Sequence, residues 1–308
     1  MIKRFSLNKI SKLFVIFLVV LLLQIFPGKK EYTLKDKQVF NENKYHDIYL
    51  IDKNNYVSKT NIVINSVELE KLVIELTESL IIDGKYTDRL PNGFRAVLPS
   101  NTKINSVKIE DDTVIIDFSN LFYETNKREE EQIIESLIYT LTSIKKINKI
   151  NIKLDNKDLT KLPNSNKNID KILTREYGIN KETNIESIKD IKSVTIYYVS
   201  KFNNQNYYVP VTKYVNSDKN KINIIIEELS SRMSYNSDLM SYLNSNTELI
   251  DFTISESSID LNFNDFLFDN KEKKVVLEEV IYSISYSLED TLNIQNVTFL
   301  VNNEEIKR

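Results

Sequence analysis

One imidazole, no thiol and scattered carboxylates are what this chain offers to acid–base or metal chemistry. The histidine, His46, falls in the polar stretch Lys30 to Asp47, where a general base lacks a scaffold to hold it against a substrate. It reads as a solvated residue. Without cysteine there is no disulfide framework, no thiolate metal site, no cysteine nucleophile and no lipid-modified N-terminal cysteine. Glu110, Asp111 and Asp112 stand side by side and could gather a cation, but they read as a polar hairpin tip. Asp117 and Asp260 are acids inside alternating segments, where a glycosidase would keep a carboxylate pair. Only four glycines are present, too few for a phosphate-cradling loop, and neither GxSxG nor HExxH occurs. The expectation is a protein that is not an enzyme and uses no cofactor and no metal.

Tyrosine is the other chemically useful side chain, with 17 in the chain. Tyr197, Tyr198, Tyr207, Tyr208 and Tyr214 fall together. This clustering reads either as strand propensity or as an interface, since tyrosine supplies contact area at low entropic cost. In NYYVPVTKYV, Asn206 to Val215, Pro210 has no amide hydrogen and is expected on an edge strand or at a bulge. That would leave Pro210 and its neighbours Tyr208, Lys213 and Tyr214 as candidate partner-binding residues. Replacing Tyr208 and Lys213 is then expected to weaken assembly and spare stability.

The elements that must carry these residues are written twice. LPSNTKINSVKIEDDTVIIDFSNLF, residues 98 to 122, returns without a gap at 243 to 267 as LNSNTELIDFTISESSIDLNFNDFL. Leu98, Ser100, Asn101, Thr102, Ile109 and Phe118 meet identical residues, and the alternating apolar positions are kept, as in two strands around a turn. In this alignment Asp117 meets Asn262 and Asp260 meets Ile115, so neither copy reproduces a carboxylate pair and both acids read as wet-face strand residues. Downstream, EQIIESLIYTL matches VVLEEVIYSI at a shift of 143 residues, each a helical stripe. INIKLDN, from Ile150, then matches VTFLVNN, from Val297. Upstream, IYLID from Ile48 resembles IYYVS from Ile196, and Leu69, Leu72, Val73 and Leu76 resemble Ile222, Ile225, Ile226 and Leu229. Each copy reads as an extended pair, a helix, two strands, a second helix and a last strand. The fold class expected is α+β, two tandem two-layer α/β sandwiches, with domains at 48–162 and 194–308 and a turn-rich linker at 163–193 that packs on a domain edge.

The first thirty residues are of another kind. Lys3, Arg4, Lys9 and Lys12 precede the run Leu13 to Phe26, which at about 1.5 Å per residue reaches roughly 21 Å of a ~30 Å hydrocarbon core. The following IFPGKKEY lacks a small-x-small cleavage pair, so an uncleaved membrane anchor over 1–30 and a polar stalk over 31–47 are expected, with the body outside the cytoplasm; cleavage would make it secreted. Six of the 41 basic residues and none of the 44 acidic ones lie in that segment. The remainder is therefore acidic, which argues against nucleic acid as a partner.

On these strings, together with IIESLIYTLTSIKKINKINIKLDNK and LTREYGIN in the linker, residues 48 to 308 resemble the GerM family of spore-forming bacteria, which carries an N-terminal membrane signal and two tandem GerMN domains. The resemblance implies a role in sporulation, in the assembly joining mother cell and forespore. It also implies similarity to ring-building motifs, α+β modules that pack side by side. The chain departs from the family in lacking the lipobox cysteine, and in placing LDNK and VNNE where a glycine usually turns the final hairpin; Asn can replace it at φ > 0. The expected function is a membrane-anchored extracytoplasmic scaffold whose partners are other sporulation envelope proteins and its own copies. The alternative is a protein that binds or modifies peptidoglycan.

Overall fold

A computed structural model describes residues 44–231 and 238–306. The expected membrane segment and most of the expected stalk lie outside the described residues, among which no helix is long and apolar enough to cross a membrane. The first copy runs β1 (Tyr45–Asp52), β2 (Val57–Val63), α1 (Leu69–Glu78), β3 (Phe94–Arg95), β4 (Lys103–Glu110), β5 (Thr113–Ser119), α2 (Lys127–Leu141), β6 (Lys149–Leu154) and β7 (Lys157–Asp158). After a short strand β8 (Glu182–Asn184), the second copy repeats the order: β9 (Ile191–Phe202), β10 (Gln205–Asn216), α3 (Lys221–Ser230), β11 (Leu249–Ser255), β12 (Ser258–Phe263), α4 (Glu278–Leu292), β13 (Asn296–Val301) and β14 (Glu304–Glu305).

Each copy owns a four-stranded sheet, β4-β5-β6-β7 in the first and β11-β12-β13-β14 in the second. The middle pair is parallel and the outer pairs antiparallel. Even the irregularity is duplicated: the ladder slips between Ile104 and Ser106 and again between Leu249 and Asp251. Ile116 pairs with Ile152 as Leu261 pairs with Phe299, and Ile116, Phe118, Leu261 and Phe263 are all fully buried. The final hairpins turn through Asp155 and Asn156 and through Asn302 and Asn303, all at positive φ. That is the geometry two-residue hairpins demand, met without glycine. Asp111 and its counterpart Glu256 likewise take positive φ at the tips of the β4–β5 and β11–β12 turns.

Helix α2 starts at a capping box: the Asn126 side chain accepts from the Arg128 and Glu129 amides, and the Glu129 carboxylate accepts from the Asn126 amide. Its stripe Ile133, Ile134, Leu137, Ile138 and Leu141 is wholly buried. The register between α2 and α4, however, is one turn away from the shift of 143. The Tyr49 amide donates to Thr140 Oγ1 and the Tyr197 amide to Ser287 Oγ, while Tyr49 packs on Tyr139 and Tyr197 on Tyr286. Thr140 therefore matches Ser287 and Tyr139 matches Tyr286, the offset that β6 and β13 also obey. A stripe of period 3.6 survives a slip of one turn, and only the hydrogen bonds to the first strands decide between the two registers.

Two further expectations change. His46 lies on β1 and not in a solvated stalk: it is half-buried, burial lowers its pKa, and its Nε2 meets no hydrogen-bond partner among the described residues. Asp117 is buried, not on a wet face. Its carboxylate accepts from the Asn156 amide and from Asn105 Nδ2. Asn262 does the same work with its amide, accepting from the Asn303 amide and donating to Asp251. Both pin the final hairpin, so the position needs an acceptor oxygen and not a charge. Asp260 is exposed, as read.

Candidate functional site: the joint between the two copies

The hairpins β1–β2 and β9–β10 do not stay with their own sheets but meet, building a six-stranded sheet of order β3-β1-β2-β10-β8 with β9 on the far side of β10. Lys59 of β2 pairs antiparallel with Tyr208 of β10, which places Val57 opposite Pro210 two residues on. The Thr212 amide donates to Ile179 O, away from β9, so by alternation residue 210 also faces away from β9. Pro210 has no hydrogen to give there. Instead the Asn180 side chain enters the gap: Nδ2 donates to Val57 O at 2.8 Å and Pro210 O at 2.7 Å, and Oδ1 accepts from the Val57 amide at 3.0 Å. A side-chain amide thus replaces the ladder step that proline removes.

The segment that delivers Asn180 is LTREYGIN, within the expected linker. Gly178 adopts φ +78, and a Cβ there would come within 3.2 Å of the Thr212 side chain, so glycine is required for both backbone and space. Three residues earlier Arg175 reaches beneath the sheet. Its Nε donates to Thr142 Oγ1, Nη2 to Tyr139 O, and Nη1 to Asp290 Oδ1 at 3.2 Å, while the guanidinium lies 4.8 Å from the Tyr139 ring centre. The Asp290 side chain is 1% exposed and that of Arg175 25%. Burial pushes the Asp290 carboxyl above its ordinary pKa, against the pull of Arg175 and of the Tyr197 hydroxyl that also donates to it. Tyr197 OH in turn lies 2.9 Å from Tyr49 OH. Since Tyr49 and Tyr197 are the same position of the two copies, their meeting marks a local two-fold relation.

The joint is closed elsewhere by aromatic packing. Tyr207 OH donates to the buried Asp52 carboxylate and its ring packs edge-on against Phe94. Burial pushes the Tyr207 hydroxyl up to about 12. Gly93, at φ +89, lies so close under Phe202 that a Cβ would stand 2.6 Å from the ring.

The candidate partner-binding residues belong to this joint. Pro210 is buried in an interior strand, at neither an edge nor a bulge. Tyr208 packs edge-on against Tyr282 and Tyr286. Lys213 Nζ is 2.7 Å from Glu228 and 3.8 Å from Glu182 with its side chain 15% exposed; burial opposes its charge, yet Tyr198 and Glu228 raise its pKa. Tyr214 is half-buried, pairs with Thr183 of β8, and has its hydroxyl pKa raised by burial. What sequence reasoning missed were Tyr49, Arg175, Asn180 and Asp290. The signal was available in LTREYGIN, where one of four glycines follows an arginine in a stretch otherwise polar and turn-rich.

Beside this clasp of Arg175, Asp290, Tyr197 and Tyr49 opens a polar cleft of about 730 Å³, lined from both copies by residues including Asp47, Lys59, Lys149, Arg175, Tyr286 and Glu289. Lys59 is spoken for, with Nζ 2.7 Å from Asp47 and 3.9 Å from the Tyr286 ring centre, as is Lys149, 3.2 Å from Asp112. Lys59, Lys149 and Arg175 are each paired with an acid, and hydroxyls and rings complete the wall. Among the described residues no three His, Asp or Glu side chains converge as a metal-ligand set.

Comparison with known proteins agrees with this architecture. The Germane family model, described as "Sporulation and spore germination", matches residues 47–160 and 195–307. The spore germination protein GerM of Bacillus subtilis (strain 168) is 33% identical over 261 residues, spanning 83% of this chain and 71% of the relative. The solved tandem GerMN domains of the sporulation protein GerM from Bacillus subtilis superpose with a TM-score of 0.76 at 32% identity, covering 85% of this chain and 92% of that one. The chain belongs to the GerM family of sporulation and spore germination proteins.

Proposed function

We propose that this chain serves sporulation as a non-enzymatic scaffold, anchored in the membrane by its N-terminal segment, whose fused GerMN modules assemble with other envelope proteins or with further copies of the chain. The observation that carries this reading is the joint. The side chains that chemistry would call on, Arg175, Asp290, Tyr49 and Tyr197, are engaged with one another across the joint between the copies. The end strand β11 leaves Ile250 and Ile254 half-exposed, apolar surface of the kind that marks contact sites. Crosslinking of the full-length protein in sporulating cells, with light scattering of the purified protein over a concentration series, tests it. Specific crosslinks to envelope proteins or a defined oligomer support the scaffold; a persistent monomer with no such crosslinks contradicts it.

The polar cleft favours a second reading, peptidoglycan binding, because hydroxyls and rings at a cleft wall suit a sugar chain. Co-sedimentation with purified sacculi and a muropeptide-release assay separate the two: saturable co-sedimentation, abolished by substitutions in the cleft, would move the function to the cell wall.

A further inference from the structure

The two copies differ in what covers the edge of their last long strand. In the first copy the chain after β7 folds back over β6 and α2. The Ile150 amide and carbonyl exchange hydrogen bonds of 2.9 and 2.8 Å with Leu173, and Leu162, Ile169 and Leu173 are buried beside Ile134, Ile150, Ile152 and Leu159. Lys171, two residues before Leu173, places Nζ 3.0 Å from Asp158 of β7, which Lys153 also contacts at 3.2 Å.

The second copy has the same acceptor and nothing described in it. Ile281, Val297, Phe299 and Ile306 stand where Ile134, Ile150, Ile152 and Leu159 stand, and the Ile306 amide donates to Phe299 O as the Leu159 amide donates to Ile152 O. Here these side chains line an open groove of about 490 Å³, together with Val276 and Glu305. Ile281, Val297 and Ile306 are only partly buried, whereas their counterparts are covered. Glu305 is the counterpart of Asp158, paired across the hairpin with Leu300 as Asp158 is with Lys153. Copy two has thus kept the acid, replaced its lysine by leucine, and left Glu305 without a cationic partner among the described residues.

We infer that this groove on the second copy receives a short segment of a partner protein, carrying aliphatic side chains four residues apart with a lysine or arginine midway, which bridges Val297 and sets its cation against Glu305. The first copy displays the recognition chemistry with its own Ile169, Lys171 and Leu173. A single antiparallel bridge fixes register, the aliphatic pair fills the groove, and the ion pair selects sequence. The inference concerns peptide capture and is independent of self-association, which light scattering reads separately.

The probe is a fluorescein-labelled peptide NIDKILT, the sequence of Asn168 to Thr174, titrated against the full-length protein by anisotropy. Saturable binding is expected, weakened roughly tenfold by Glu305→Lys, an exposed position that spares the fold, and restored toward the unmodified pair when the peptide's lysine is exchanged for glutamate. Peptide should also slow hydrogen exchange of the Val297 amide. Absence of saturable binding, or binding indifferent to both charge changes, overturns the inference. So does a Val297 amide already protected before peptide is added: protection at all protein concentrations means the chain covers the groove itself, and concentration-dependent protection means a second copy does.

Discussion

Replacing Arg175 by methionine should destabilise the protein far more than replacing its partner Asp290 by asparagine. Arg175→Met leaves a carboxylate 1% exposed that keeps the hydrogen bond from the Tyr197 hydroxyl and the more distant charge of Lys59. Breaking a buried ion pair from one side costs about 3–5 kcal/mol, and the stacking on Tyr139 adds up to ~1 kcal/mol. Asp290→Asn leaves a guanidinium whose side chain is a quarter exposed and still bonded to Thr142 and the Tyr139 carbonyl, so about 1–2 kcal/mol is expected. The pH dependence has a definite sign. Burial holds the folded Asp290 pKa above its ordinary value, and without Arg175 that elevation grows. The penalty of Arg175→Met is then full above the folded pKa and shrinks as pH falls through it, because the neutral acid costs less to bury. Urea unfolding of Arg175→Met and of Arg175→Met with Asp290→Asn, from pH 8 down to about 4.5, isolates this term: the double variant should be the more stable at high pH, and the difference should close on acidification. A loss under about 1 kcal/mol for Arg175→Met, or a difference that does not narrow, would refute the clasp as an energetic element.

Asn180→Ala removes three hydrogen bonds and orphans buried groups of Val57 and Pro210, so urea unfolding should register a loss of about 2–4 kcal/mol. Tyr208→Ala and Lys213→Met should each lower thermal stability, by roughly 1–3 kcal/mol, reversing what their sequence context suggests; calorimetry showing unchanged stability would return them to the surface. Asp117→Asn should cost less than about 1 kcal/mol and Asp117→Ala about 1–3 kcal/mol, since Asn262 performs the same task in the second copy; chemical denaturation of the pair of variants checks this ordering.

The repeat, its strands and the buried faces were legible because strand alternation has period two, and a one-residue error would have inverted Ile116, Phe118, Leu261 and Phe263. The helix register was not, because α2 and α4 present nearly the same stripe after a slip of one turn. The joint was hidden for a different reason. Tyr49 and Tyr197 are 148 residues apart and Arg175 and Asp290 115, and no local pattern announces such pairs. A tyrosine cluster and a proline were visible, but whether they faced a partner or the other half of the same chain depended on where the hairpins went. Asp117 misled because an acid in a strand suggests water, whereas its neighbours supply amide hydrogens that satisfy it in the interior.

The claim that the linker motif welds the two copies into one body is tested most directly by a distance. With no native cysteine, spin labels at Lys108→Cys on β4 and Thr253→Cys on β11, both exposed, report the separation of the copies by pulsed dipolar spectroscopy. A single narrow distribution that broadens when Asn180→Ala and Arg175→Met are added is the predicted result. A broad distribution in the otherwise unaltered protein, or one indifferent to those two substitutions, would contradict it.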